Sequence, residues 1–325
     1  MHHLVIGEGQ IGRAIIERAL TDGDTVTVLR RSTREPSPGI RRISGDARDP
    51  QVLREAMTGA DAVHAAFHTV YDARVWRREL PVRERAVMDV AAERGIPVVF
   101  PESMYGFQGA ARDLLEGAAP SPQDAKGEVR ISLLAARREH AARTVSVIAS
   151  DLIGPTAVGT GAAVVDALLI EPILAGRRPI VFGDPSAPHT LTFIPDLARA
   201  MLHVARTAEI WTTNADRDAV LHAPSAPAPT QREIIAATRV QSRRPERRPW
   251  RIPRSALRTA APVSTFAREL HGISGLWYRP CVLRPGVLMT QARLEPTIWQ
   301  EALRETVAAT ISGPGHRSVP AVSRS

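Results

Sequence analysis

The stretch His2-His3-Leu4-Val5-Ile6-Gly7-Glu8-Gly9-Gln10-Ile11-Gly12-Arg13-Ala14-Ile15-Ile16-Glu17-Arg18-Ala19-Leu20 decides how the rest of the sequence is read. A short apolar run from His2 to Ile6 meets a cluster of glycines. Apolar residues then recur at helical spacing, so the segment reads as strand, glycine turn and helix.

The same alternation continues outward. Gly23 ends the helix, and Thr25 to Leu29 is a β-branched strand. A strand near Ile43-Ser44, a helix from Pro50 to Met57 and, after the turn Gly59-Ala60-Asp61, a strand from Ala62 to Phe67 follow. A helix is expected from about Pro81, a good first-turn residue, to Arg94, with Gly95 as its stop. Strand Pro97 to Phe100, helix Asp124 to Ala142 and strand Val145 to Ala149 complete the series. Strands alternating with helices of this length predict an α/β fold, a Rossmann-type doubly wound parallel sheet. In such a sheet ligands bind beyond the carboxyl ends of the strands.

The G-x-G-x-x-G of Gly7, Gly9 and Gly12 follows a strand and opens a helix, the context in which it marks a dinucleotide site. Gly7 allows the tight turn, Gly9 lets the backbone approach a pyrophosphate, and Gly12 lets helix and strand pack closely. The helix start at Gln10 and Ile11 supplies N–H groups and positive potential. A purely structural glycine turn is the competing reading. At the end of the second strand Leu29 is followed by Arg30-Arg31-Ser32, with no carboxylate to accept from a ribose 2′-OH. Arginines there suit a 2′-phosphate, so NADP(H) is favoured over NAD(H), against the alternative that they belong to the general arginine excess. After the third strand, Asp46 and Ala47 are expected at the adenine. Asp46 is expected to accept from its amino group, to cap the next helix, or both.

A length of 325 residues suggests one large or two modest domains, and 44% hydrophobic with 23% charged residues excludes a disordered chain. The lone Cys281 cannot form an internal disulfide, which fits a reducing, cytoplasmic setting. No apolar run is long enough for a membrane span, so no membrane role is expected. The net charge of +8 arises from 42 basic and 34 acidic residues, and Lys126 is the one lysine among the basic ones. Acidic residues are interspersed among the arginines, which favours compositional bias over nucleic-acid binding.

These pieces and their order resemble the extended or atypical short-chain dehydrogenases/reductases, the group containing the NAD-dependent epimerases/dehydratases. The resemblance rests on the glycine motif, Gly45-Asp46, Asp61 to Ala66 and Met104-Tyr105-Gly106. It continues through Asp151 to Pro155, His189 to Ala198 and Glu295-Pro296-Thr297. It implies that Ala65 and Ala66 border the cofactor, that a small molecule is the substrate, and that a homodimer is a compatible assembly. It also implies the layout: residues 1–150 as the cofactor domain with 191–219 returning to it, and 151–190 with 220–311 as a smaller C-terminal substrate lobe. Residues 312–325, rich in Gly, Pro and Ser, read as a frayed tail.

In that family a tyrosine moves the proton at the substrate oxygen, a lysine four residues later assists it and binds the nicotinamide ribose, and a serine or threonine follows the fifth strand. Lys126 falls where the family lysine is expected, but Pro122 stands four residues before it, so the Tyr-x-x-x-Lys motif is broken. Tyr105 is therefore the candidate acid/base, with Lys126 near the ribose and Ser103 or Glu102 assisting; simple packing against the cofactor is the competing role for Tyr105. His64 and His68 lie four apart, which places them on one face of a strand, but no third metal ligand follows, which favours packing.

Beyond Pro155, Gly159-Thr160-Gly161 leads into an apolar helix from Ala162 to about Leu174, with Gly176 as its stop, and a strand from Pro179 to Phe182 follows. Asp196 starts a helix to Arg206. Thr230 and Glu233 form a capping box after a proline-rich loop. The arginine cluster Arg243 to Arg254, interrupted by Pro245, Pro249, Trp250 and Pro253, reads as a solvated surface rather than a nucleic-acid site. The expected function is an NADP(H)-dependent oxidoreductase acting on a small carbonyl or hydroxyl compound. The alternatives are an epimerase or dehydratase that retains its cofactor, and a non-catalytic dinucleotide-binding sensor.

Overall fold

The computed structural model describes residues 1–32, 35, 37–157 and 163–312. Of the expectations above, the Gly159 to Gly161 turn, the helix start at Ala162 and the tail from 313 onward lie outside the described residues, while Ser312 ends the last helix.

Seven parallel strands form the central sheet. In chain order they are β1 (His2–Ile6), β2 (Thr25–Arg30), β3 (Ile40–Ser44), β4 (Ala62–His64), β5 (Val98–Ser103), β6 (Thr144–Ala149) and, after an excursion, Asp218–His222. Their spatial order runs β3, β2, β1, β4, β5, β6 and then Asp218–His222. The chain reverses direction across the sheet between β1 and β4, which opens a crevice there. The period-two pattern of β1 explains both faces: Leu4 and Ile6 enter one core, and Val5 enters the other. Helices α1 (Gln10–Thr21) and Ile194–Arg206 cover the Val5 face, while α2 (Pro50–Ala56) and α3 (Ala73–Arg94) cover the Leu4 face. Helix α4 (Ala125–Arg138) packs beside α3.

Several elements differ from the sequence reading, three of them near the site for a local reason. The helix expected from Pro81 begins eight residues earlier, because the Asp72 side chain accepts from the backbone N–H groups of Arg74 and Val75 and caps it there. Strand β4 stops at His64 rather than Phe67, leaving residues 65 to 69 to line a cleft. Strand β5 runs on to Ser103, through Pro101. Val99 accepts from Ala65 on the β4 side, so Pro101, two residues on, directs its missing N–H to the side that β4 has vacated.

The remaining residues form a second core. Short strands β7 (Asp151–Ile153) and β8 (Ile180–Phe182) pair with β9 (Leu191–Phe193) and with a strand Trp250–Ile252, respectively. Helices Gln231–Ser242, Thr265–Gly272 and Trp299–Ser312 pack over them around Leu169, Ile234, Leu270, Trp277 and Leu303. The apolar helix expected to about Leu174 contains a π turn over Asp166–Ile170, followed by Glu171–Leu174. Pro172 cannot donate an N–H, and the wider turn precedes it. The capping box of Thr230 and Glu233 is formed. The arginines from Arg243 to Arg254 are exposed, with Arg178 over the Trp250 ring at 4.7 Å. Among the described residues no helix is long and apolar enough to cross a membrane.

Candidate functional site

A cavity of about 820 Å³ opens at the carboxyl edge of the sheet, where β1 adjoins β4. One half is built by the glycine turn. Gly7 has φ of 97° and donates its N–H to Leu29 at 2.9 Å, and a Cβ there would sit 2.8 Å from the Phe67 backbone. A Cβ on Gly12 would lie 1.9 Å from the Gly7 carbonyl oxygen, whereas one on Gly9 meets nothing within 4 Å. Gly9 caps α1 without a side-chain hydrogen bond. The first-turn N–H groups above that open space are therefore left for an anion, and Gly9, Gln10 and Ile11 all line the cleft. Ala65 and Ala66 border the turn from β4. The cradle fits a dinucleotide pyrophosphate.

At the end of β2, Arg30, Arg31 and Ser32 line the same half. The sequence reading missed two neighbours. Glu8, between the first two glycines, accepts from Arg30 Nη1 and from Arg42 Nη1, each at 3.1 Å. The loop carboxylate is thus held by two arginines, and Arg31 stands exposed beside them. Asp46 and Ala47 close the adenine end. Asp46 does not cap α2: Asp49 does, accepting from Gln51 N–H, because Pro50 occupies the first helical position. Asp46 instead grips Arg48 through Nε at 3.0 Å and the backbone N–H at 2.9 Å, and the Arg48 hydrogen bond holds its pKa down to about 2.

The other half surrounds Tyr105. Its ring stacks near Trp76 at 6.1 Å, and its hydroxyl lies 3.0 Å from the hydroxyl of Tyr71, which sequence reasoning overlooked because Tyr71 lies in the stretch assigned no element. Burial, with the nearby Asp151 carboxylate, raises the Tyr105 pKa; burial and the Tyr105 hydroxyl raise that of Tyr71. Ser103, at the end of β5, has its Oγ buried in the cleft wall without a hydrogen-bond partner. Glu102 is not free to assist. It belongs to a closed ionic chain in which Arg137 bonds Glu84 at 2.7 Å and Glu102 at 2.9 Å, and Arg130 Nε lies 3.4 Å from Glu102. Arg137 also lies over the Phe100 ring at 4.0 Å.

Lys126, expected at the nicotinamide ribose, does not line the cleft. Only 1% exposed, it is held by Glu269 Oε2 at 2.5 Å and the Glu269 carbonyl at 3.0 Å, with its ammonium 4.8 Å from the Tyr71 ring centre. Glu269 comes from helix Thr265–Gly272, too far along the chain for any motif to signal it. His64 and His68 do not share a strand face. His64 is buried in β4 with Nε2 3.1 Å from His3, while His68, beyond the strand, receives a hydrogen bond from Arg130 at 3.0 Å. Asp151, which follows β6, is a second missed residue. It lines the cleft, and its carboxylate is bonded from behind by His189, which stacks on Trp277 at 4.1 Å.

A family model described as the NAD dependent epimerase/dehydratase family matches residues 3–214. Solved structures share the fold at low identity. UDP-glucose 4-epimerase from Thermotoga maritima, solved with UDP-glucose, superposes with a TM-score of 0.73 at 15% identity, covering 96% of this chain and 99% of that one. UDP-N-acetylglucosamine 4-epimerase from Bacillus cereus gives 0.73 at 11% identity, covering 98% and 99%. The dTDP-glucose 4,6-dehydratase of Bacillus anthracis, in complex with NAD, gives 0.73 at 13%, covering 97% and 98%. No curated protein matches the chain.

Proposed function

This chain belongs to the NAD dependent epimerase/dehydratase family, a family of nicotinamide-dinucleotide enzymes, and we propose that it is an NADP(H)-dependent oxidoreductase that reduces a small carbonyl compound. The observation that carries the reading is the Tyr105 hydroxyl, paired with Tyr71 in the cleft wall beside the glycine cradle.

A bound NADPH supplies a hydride. The protein's own part is to hold the carbonyl and deliver a proton to its oxygen. The unpartnered Ser103 Oγ is placed to donate to that oxygen and orient it. Tyr105, kept protonated by burial and by Asp151, gives up its proton as the C=O π electrons settle on oxygen, and Tyr71 donates to the resulting phenolate. The raised pKa keeps Tyr105 as the phenol, so little phenolate stands ready to take a proton from an alcohol, whereas an alkoxide, a stronger base than a phenolate, can still draw the proton from it. Arg30, Arg31 and Ser32 support NADP(H) as the cofactor through its 2′-phosphate.

Steady-state NADPH consumption with a panel of aldehydes and ketones tests this. Consumption with net product is expected, and Tyr105→Phe should lower turnover by about 10²-fold or more. Turnover without consumption points to epimerisation. Tight NADPH binding without turnover points to a sensor, and an undiminished Tyr105→Phe enzyme removes the tyrosine from the chemistry.

A further inference from the structure

The two halves of the cleft treat charge in opposite ways. At the adenine and phosphate end, Arg30 and Arg42 hold Glu8, Arg48 holds Asp46, and Arg31 stands exposed beside them, which leaves surplus positive charge where a 2′-phosphate would lie. At the other end, every cation among the described lining residues is already matched. Arg83 is held by Glu79 at 2.9 Å, and Arg130 by Glu102 at 3.4 Å while it lies over Trp76. Arg130 and Arg137 balance Glu84 and Glu102, Glu79 is shared by Arg83 and Arg78, and Arg83 and Arg130 are buried. The described residues that line the cleft after Ala149 bring one charged side chain, the carboxylate Asp151. Apart from Ser150, the rest of that wall, including Val164, Leu270, Leu276 and Cys281, is apolar.

A nucleotide sugar carries a diphosphate that must be met by cations or helix N-termini when it leaves water. No spare cation lines this end among the described residues, and Asp151 would repel the diphosphate. Room argues the same way. A cleft of about 820 Å³ lies in the range that ordinarily serves one ligand, roughly 300–1,000 Å³. Shared with a dinucleotide, it leaves space for a compact second molecule.

We infer that the substrate is a compact, uncharged and largely apolar carbonyl compound, and that the cleft is closed to nucleotide-diphosphate sugars. The inference rests on the reductase reading for the carbonyl and on the cleft's charge layout for the exclusion. Tyr71 and Tyr105 offer ring surfaces for such a molecule, and Leu270 and Leu276 line the cleft with apolar surface.

The test is calorimetric titration of the full chain, with and without saturating NADPH, using UDP-glucose and the neutral bicyclic ketone 2-tetralone as probes. The expected result is 2-tetralone binding at least about 50-fold more tightly than UDP-glucose, whose isotherm stays flat to roughly 5 mM. Insertion of bulk at the apolar wall, Leu276→Trp, should weaken 2-tetralone about tenfold while leaving NADPH affinity unchanged. UDP-glucose saturating at or below the 2-tetralone range overturns the inference, as does failure of both probes to bind. Failure of NADPH itself to bind defeats the cofactor reading separately, because the comparison of the two probes is still read without it.

Discussion

Replacing Arg31 and Arg30 one at a time by alanine separates a phosphate-reading site from a chance arginine pair. Arg31 is exposed, and a charge-assisted hydrogen bond is worth about 1.5–3 kcal/mol. Solvent screening puts an exposed arginine at the low end, roughly 1.5 kcal/mol, so Arg31→Ala should weaken NADPH about tenfold. Arg30→Ala should cost more, because Arg30 also shares Glu8 with Arg42, each at 3.1 Å, and its loss tips the charge balance beside the phosphate toward the carboxylate. For NADH the effect is small. Arg31→Ala should change its affinity less than about threefold, and Arg30→Ala should do no more, because NADH brings no 2′-phosphate for either arginine to hold. Fluorescence titration of both cofactors at low and high salt reads these values, and the NADPH differences should shrink as salt rises. Equal weakening of NADH and NADPH by both substitutions, or a wild-type protein with no preference for NADPH, refutes the reasoning.

Three further outcomes follow from the packing. Gly12→Ala must push against the Gly7 carbonyl oxygen, 1.9 Å from the new Cβ, and should lose about 1–3 kcal/mol of stability together with NADPH binding, measured by urea unfolding and titration. Arg137→Met leaves Glu84 and Glu102 buried without their shared cation and should destabilise by about 3–5 kcal/mol, with partial recovery when Glu84→Gln is added. Asp166 is 3% exposed, and burial raises its pKa to about 6, so folding holds its proton more tightly than the unfolded chain does. Its effect on stability is therefore most favourable below about pH 4 and declines as pH rises through 6. Asp166→Asn should gain up to about 3 kcal/mol at pH 7 and nothing at pH 4, and an equal gain at both pH values counts against the titration.

The alternation of elements was legible because each strand and helix carries its own period, and the glycine turn announced both the first crossover and the phosphate cradle. Boundaries were less so where a side chain decides them from outside the apolar pattern, as Asp72 does for α3. Within the site, residues attached to strand ends, Ser103, Arg30 and Arg31, reached the cleft as their strands dictate. Tyr71 and Asp151 were missed as site residues because their partners, Tyr105 and His189, lie 34 and 38 residues away and no local pattern encodes the meeting. Lys126 was expected at the ribose because the family resemblance puts a lysine at the start of that helix. Its ammonium is claimed by a carboxylate 143 residues later, and burial without that partner would be too costly for a charged amine.

That pair also bears on how the molecule opens. Lys126 belongs to the helix flanking the main sheet, and Glu269 to a helix of the second core. Parting the two would break a buried ion pair and, among the described residues, leave Lys126 only the more distant Asp124 and Glu269 only Arg268. Local opening of either helix alone is then penalised. The backbone amides of Ala125–Arg138 and Thr265–Gly272 should exchange with deuterium as one cooperative unit, even though they sit in different cores. The lysine would here act as the latch that makes two folding units breathe in step.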